Sequence, residues 1–312
     1  ESATDNCVDG VCAGFEPIGG TEGFSGTFTG NRAGIFNLTI NRPDEDYVGL
    51  FTKLNPGAKV SGIGLAQSTI VGRNYVGSIA GLDKGADLER VGAEKDLVVR
   101  GNNYVGMVVG AKEGGSAKYN HVNGTVEGND YVGSFAGSSK NTSYTDNLSW
   151  ASVQGNSNVG GFVGIDSASA YTNIYSISQV RGNENVGNLA GSSEKSTYKS
   201  VYYDGEVWQF DNSSVGKSLT TAEMLDSASY EGWEFGTVWL KHAADAYPIL
   251  AWTDGVKLIY PVRTHDVKFQ MEGSGTEEAP FLVKTYDDLK AIGYGKYKLS
   301  AVYRLENDID AS

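Results

Sequence analysis

The sequence predicts an all-β chain: a right-handed parallel β-helix (β-solenoid) with rungs of about 27 residues, a small aromatic C-terminal cap and a C-terminal extension. Three observations predict it. A glycine-bracketed phrase recurs at nearly constant spacing, one valine within it never varies, and the stretches between copies alternate apolar and polar residues. The phrase reads Gly72-Arg-Asn-Tyr-Val-Gly77, Gly101-Asn-Asn-Tyr-Val-Gly106 and Gly128-Asn-Asp-Tyr-Val-Gly133. It continues without tyrosine as Gly155-Asn-Ser-Asn-Val-Gly160 and Gly182-Asn-Glu-Asn-Val-Gly187, and an earlier copy, Asp46-Tyr-Val-Gly49, lacks the leading glycine. The closing glycines are spaced 28, 29, 27, 27 and 27 residues apart.

The invariant valines, Val48, Val76, Val105, Val132, Val159 and Val186, are the expected core ladder. Three residues on, each copy has a second large apolar side chain: Phe51, Ile79, Val108, Phe135, Phe162, Leu189. Segments such as 147–153 and 173–180 alternate with the period of two that marks strands. Stacked at the roughly 4.8 Å spacing of neighbouring strands, such rungs bury valine over valine. Right-handed crossovers are the favoured connection. Glycines are expected where φ is positive or where rungs approach closely. Asn102, Asn129, Asn156 and Asn183 are expected to form a side-chain ladder. Tyr47, Tyr75, Tyr104 and Tyr131 form an aromatic ladder, either stacked ring on ring or turned outward as a sugar platform; the rung spacing favours stacking.

The repeated Tyr-Val-Gly-x-x-x-Gly over about residues 24–210 resembles the GLUG-motif repeats of large bacterial surface proteins, including adhesins and some immunoglobulin-A protease precursors. Phe24-Ser-Gly-Thr-Phe-Thr-Gly30 and Ile35-Phe-Asn-Leu-Thr-Ile40 look like the family's opening strands. Asn158 and Asn185 depart from its tyrosine, and Lys53 stands where the later glycine is expected. The resemblance implies extracellular architecture rather than a reaction.

Four segments follow: 1–23, a cysteine loop and first strand; 24–210, the solenoid; 211–255, the cap; and 256–312, a linker and donated segment. Thr220-Thr-Ala-Glu223 is a capping box opening a helix through about Tyr230, within an aromatic segment expected to cover the solenoid's open end. The segments 275–283, 285–292 and 303–310 resemble the leader that ordinarily precedes such a solenoid, displaced here to the C-terminus. The N-terminus opens with what would follow that leader, so the chain reads as one period of an array cut in mid-unit. The expected donor residues are Phe281, Leu282, Val283, Leu289, Ile292, Val302, Leu305 and Ile309. The expected acceptors, at an end lacking its first rung, are Phe15, Ile18, Phe24, Phe28 and Ile35. Donation of this kind is strand complementation, and repeated head to tail it does not close.

A net charge of −13 disfavours nucleic acid and anionic membrane surfaces as partners. No run approaches the roughly 18 apolar residues of a membrane helix. The expected partner is another copy of the chain, with a cell-surface glycan or protein as a further candidate. Cys7 and Cys12 are expected to form a small disulfide loop, because no histidine or further cysteine is near enough to complete a metal site. That loop fits an oxidising setting, secreted or at the cell surface, and a start at Glu1 rather than Met reads as a mature or excised product.

The chemistry-bearing motifs are sparse. His121, His242 and His265 are scattered. Val215-Gly-Lys-Ser218 lacks the leading glycine of a phosphate loop, with Asp211 in its place. Asp44-Glu-Asp46 and Asp308-Ile-Asp310 could hold Ca²⁺ but read first as turn and strand-end acids. Sequons occur at Asn37, Asn123, Asn141, Asn147 and Asn212, and read first as unused turn asparagines. The expectation is a non-enzymatic protein without cofactor. A polysaccharide lyase or hydrolase on this fold would need clustered Asp, Lys, Arg or His on one face, whereas the turns are mostly Gly, Ser and Asn.

Overall fold

A computed structural model describes residues 7–8, 11–207, 215–254, 271–284, 288 and 301–306. The repeats form a parallel β-solenoid whose faces are a 13-stranded, a five-stranded and a six-stranded sheet. The invariant valine is the centre of the five-stranded sheet, made of Asn74–Val76, Asn103–Gly106, Asp130–Gly133, Ser157–Gly160 and Glu184–Gly187. Val76, Val105, Val132, Val159 and Val186 pair in register, and Val48 joins by a single bridge. All but Val186 are buried, and Val186 packs half-buried at the end of the stack. Each fully buried Val, Leu, Ile or Phe contributes about 1.5–3 kcal/mol, so one core runs the length of the solenoid.

The six-stranded sheet comprises Phe51–Leu54, Ala80–Asp83, Val109–Glu113, Ala136–Lys140, Val163–Ser167 and Ala190–Glu194. Its first strand slips by one residue: Phe51 faces Ala80 rather than Ile79, which places Lys53 opposite Leu82 and accounts for the missing glycine of the first copy. The 13-stranded sheet includes the predicted strand through 147–153, as Ser143–Gln154. The stretch 173–180 divides between Ala170–Ser176 and Gln179–Arg181.

Of the two roles expected for glycine, close approach governs the repeat. None of the repeat glycines has a positive φ. A Cβ on Gly106 would stand 2.2 Å from the Val109 carbonyl oxygen, and one on Gly101 would meet Val76 and Val105 at 2.8 and 2.9 Å. The positive-φ corners fall instead on side-chain-bearing residues: Tyr47, Tyr75, Tyr104, Tyr131, Asn158 and Asn185 form one such column. A second column runs Gly62, Arg90, Tyr119, Asp146, Asn173, Ser200, in register between paired strands. Asn tolerates this conformation locally, whereas Tyr is held there by its neighbours.

The asparagine ladder is mainly a backbone one. Asn129, Asn156 and Asn183 each donate their N–H to the carbonyl of the preceding asparagine at 2.6–2.8 Å, and only Asn183 and Asn156 also join side chain to side chain, at 2.8 Å. A second, buried pair was not foreseen. Asn120 donates to Asn147 Oδ1 at 2.9 Å, and its own oxygen accepts from the Val91 N–H at 2.8 Å.

The capping box is present, but its helix spans only Thr221–Met224. It ends at Leu225, and Asp226 then caps a separate 3-10 turn, Ser227–Ser229, so no helix reaches Tyr230. The cap also sits differently from expectation. Lys217–Leu219 does extend the 13-stranded sheet by one strand at its end. The aromatic residues lie along the solenoid's flank, where Trp233, Trp239, Tyr230 and Tyr247 pack against Leu148, Tyr175 and Tyr202 from successive rungs. The reason is legible in those rungs: their outward positions carry large apolar side chains that water would otherwise face.

Gly106→Ala should cost at least about 1–3 kcal/mol, because the backbone oxygen it meets cannot swing aside. Urea denaturation of the solenoid, followed by circular dichroism, measures the loss.

Candidate functional site

The two ends of the chain were expected to carry function, and the N-terminal end is partly closed by its own residues. Ile18 bridges Phe51 and Phe24 bridges Leu54, so residues 13–26 already cover the outer edge of the six-stranded sheet. Phe15, Ile18, Phe24, Phe28 and Ile35 are half-buried against the main core rather than standing free. Phe15 donates its N–H to the Thr39 carbonyl, and Gly14 bridges Ile40 in antiparallel sense, which closes that edge too. At this end the 13-stranded sheet leaves open the outer edge of Thr27–Phe36, paired on one side only with Lys59–Ala66. Phe36 on this strand is 49 % exposed. The missing rung is therefore narrower than expected: one long strand edge rather than a whole layer.

This edge strand carries a bulge. Thr29 pairs with Ser61 and Ala33 with Ile63, so residues 30–32 oppose Gly62 alone. Asn31 and Arg32 both take positive φ there, at 50° and 66°. The bulge projects Arg32 to the rim of a cleft of about 470 Å³, lined also by Thr29, Asn31, Arg90, Thr237 and Trp252. Bulges that re-aim a side chain and strained corners both concentrate at functional places.

In the C-terminal segment, Phe281–Val283 pairs in parallel with Tyr303–Leu305, Phe281 facing Tyr303 and Val283 facing Leu305. Phe281 and Val283 are buried against Met271, Ala301 and Tyr303, a cluster that includes no residue of the solenoid core. Leu282 is half-buried and Val302 is 38 % exposed. Leu289, Ile292 and Ile309 lie outside the described residues. Two parallel strands form a rung in miniature, sustained among the described residues by these few apolar side chains.

The tyrosine ladder is stacked. Successive centroids from Tyr47 to Tyr131 are 4.9, 4.6 and 4.7 Å apart with interplanar angles of 16° or less. Ring faces are thus covered by the neighbouring rings, and Lys53 lies over the ring of Tyr47 at 4.8 Å. Sugars stack on aromatic faces, so this ladder offers them only edges. Burial in the stack pushes the hydroxyls of Tyr75 and Tyr104 above the ordinary tyrosine value.

A polar stripe runs through the interior of the six-stranded sheet, in register: Asp83, Lys112, Ser139, Asp166, Ser193. Lys112 and Asp83, both fully buried, form an ion pair at 2.6 Å. The Lys112 ammonium also donates to the Ala86 carbonyl, and Asp83 Oδ1 accepts from the N–H groups of Gly85 and Ala86. Facing the later rungs is an interior stack of Tyr144, Tyr171 and Tyr198, with centroids 4.8 Å apart. Sequence reasoning missed the ion pair, although its signal was present: acid and base at equivalent positions of adjacent repeats. A second buried pair, His121 Nε2 with Glu94 at 2.6 Å, packs against Trp252 of the cap.

Cys7 and Cys12 form a disulfide between two short antiparallel strands. Two of the acids weighed for Ca²⁺ have other partners: Asp46 takes a bidentate pair of hydrogen bonds from Arg73, which hold its carboxyl below the ordinary value, and Glu45 pairs with Arg42. Asp308 and Asp310 lie outside the described residues. Among the described residues, no three of His, Cys, Asp and Glu converge as a metal site, and no helix is long and apolar enough to cross a membrane. Asn147 is buried, with its amide donating to the Ala117 and Thr145 carbonyls, so it is closed to glycosylation in the folded chain. Asn212 lies outside the described residues, and Lys217–Leu219 of the dismissed phosphate-loop motif is a strand.

No known protein-family model matches the chain. Over 100 residues, 31 % of its length, the chain is 37 % identical to halomucin of Haloquadratum walsbyi, and the match spans 1 % of that much longer protein. Among solved structures it is similar to a candidate immunoglobulin A1 protease from Bacteroides ovatus, with a TM-score of 0.50, 16 % identity, and coverage of 73 % of this chain and 77 % of the other. At that identity the likeness concerns the fold.

Tyr104→Asn should be tolerated at about 1–3 kcal/mol, the loss of two ring contacts, because Asn158 and Asn185 already occupy the same left-handed column. Tyr104→Val should cost more, since a β-branched residue resists positive φ. Parallel urea melts rank the two variants. Beneath the cap, burial pushes the carboxyls of the solenoid residues Asp146 and Asp204 up, against hydrogen bonds from Trp239 and Tyr247 of the cap that favour ionisation. A carboxyl whose folded value is raised holds its proton more tightly when folded. Cap stability should therefore fall as pH rises from the ordinary carboxylate value through the raised one, and level off above it. Tryptophan emission during urea titration across that pH range measures the slope, and Asp146→Asn should flatten it.

Proposed function

We propose that the chain is a non-enzymatic, extracellular structural subunit that assembles head to tail into a filament, the C-terminal segment of one copy completing the N-terminal end of the next. The observation that carries this reading is the pairing of two incomplete halves: a solenoid whose strand Thr27–Phe36 has an unpaired outer edge, and a parallel pair, Phe281–Val283 with Tyr303–Leu305, that has no solenoid of its own. An unpaired parallel edge is satisfied by another parallel strand, and natural proteins seldom leave one bare. Docking would bury Phe36, Val302 and the half-buried faces of Phe28 and Tyr303. The disulfide fits an oxidising, extracellular setting. The likeness of the Tyr-Val-Gly-x-x-x-Gly phrase to GLUG repeats supports an architectural role, and the stacked ladder and buried polar stripe are devices of rigidity.

A second reading has one observation in its favour: the match to halomucin occupies a small fraction of a very long protein. On that reading the chain is one module of a tandem-repeat surface adhesin, covalently joined to its neighbours and presenting glycan- or protein-binding surfaces. The reading frame surrounding the sequence separates the two, since it holds either one copy or many.

The intact 312-residue chain should elute as a concentration-dependent ladder or polymer in size exclusion with light scattering and appear as filaments by electron microscopy. Truncation after residue 255 should leave a folded monomer. A monodisperse monomer of the intact chain overturns the reading.

A further inference from the structure

Resting on the head-to-tail reading above, we propose that each junction is fixed in register by an ion pair between Arg32 of the accepting copy and Glu306 of the donating one. The argument begins with the columns of the 13-stranded sheet. Reading outward from the core, each rung repeats one pattern: an inward apolar residue, an outward residue, a left-handed corner, then a further inward residue. In successive rungs the first inward position is Phe28, Val60, Leu88, Ala117 and Tyr144. The outward position beside it is Thr29, Ser61, Glu89, Lys118 and Thr145. The corner is Gly62, Arg90, Tyr119 and Asp146, with Arg32 and its bulge in the first rung.

The donor strand fits this pattern in one way. Positions 303 and 305 are in register with Phe281 and Val283, which are buried, while Arg304 and Glu306 are exposed. With Leu305 over Phe28, Glu306 joins the outward column above Thr29. Shifting the donor by two residues, with Tyr303 over Phe28, instead sends Glu306 to the inward column of Ile63, Val91 and Asn120, burying a charge without a partner.

In the fitted register Glu306 arrives beside Arg32. One rung elsewhere shows the arrangement complete: Glu89 in the outward column and Arg90 at the adjoining corner form an ion pair. In the accepting rung the corner has its arginine, but the outward residue is Thr29, so Arg32 has no acid of its own rung at that position. Arg32 is exposed at the rim of a cleft that also holds Arg90, in a chain of net charge −13. In the free chain Glu306 is engaged by Arg304, two residues away on the surface. That contact is short-range and solvent-exposed, so exchanging it for Arg32 costs little.

The test uses the full chain with charge reversals at these two exposed positions, Arg32→Glu and Glu306→Arg, each first checked for unchanged circular dichroism and melting. Polymerisation is followed by light scattering and electron microscopy at low and high salt. Each single reversal should raise the critical concentration by about tenfold at low ionic strength, and by less in ~0.5 M salt, where screening shortens the reach of the charges. An equimolar mixture of the two reversed chains should assemble as readily as wild type, because every junction in an alternating copolymer again opposes Arg and Glu. If wild type assembles and the reversals assemble equally well, or the mixture does no better than either alone, the ion pair is overturned while strand docking stands. If wild type remains monomeric, the head-to-tail reading fails and takes the pair with it.

Discussion

The close approach of successive backbones at the glycine columns is the constraint on which the rest of the fold depends. A Cβ at Gly106 or Gly137 would lie within 2.4 Å of a neighbouring backbone atom. Where such an atom is absent, the faces can fold tightly around a core only two or three side chains wide. That narrowness puts the valine ladder in continuous contact and stacks aromatic rings at 4.6–4.9 Å, the rung spacing itself. It also makes the corners sharp. The chain turns through left-handed residues in register, and tyrosine and asparagine bear the conformational cost where glycine might have been expected.

Much of this was legible in the sequence because a solenoid writes its geometry once per rung. The invariant valine, the second apolar position and the period-two stretches gave the core and its register directly. What was hidden lacked a period or depended on the third dimension. The cap's seat along the flank follows from outward apolar residues such as Leu148, Tyr175 and Tyr202, which look like ordinary strand residues until the faces are assembled. The short helix ends at Met224 because Asp226 begins its own turn, a competition that a capping box alone does not reveal. The left-handed tyrosines escaped notice because propensity argues against them, and only the stack explains them.

The candidate site was legible in outline and corrected in detail. The sequence reading expects a bare N-terminal end, yet the N-terminal residues supply more of their own cover than the repeat pattern implied. Ile18 and Phe24 reach the outer edge of the six-stranded sheet through single bridges, which no periodic reading would anticipate. The bulge at residues 30–32 breaks the repeat at a strand whose outer edge stays open, and a departure from period is where a scaffold acquires an individual feature.

Nearly identical rungs carry a hazard: sliding the stack by one whole layer would keep valine on valine and glycine on glycine. Lys112 is the one base in a column that otherwise holds Leu54, Asp83, Ser139, Asp166 and Ser193. A chain displaced by one layer would set the ammonium against Leu54, sealed from water with no counter-charge, at a cost of several kcal/mol. The pair thus sets this alignment apart from one displaced toward the Leu54 rung.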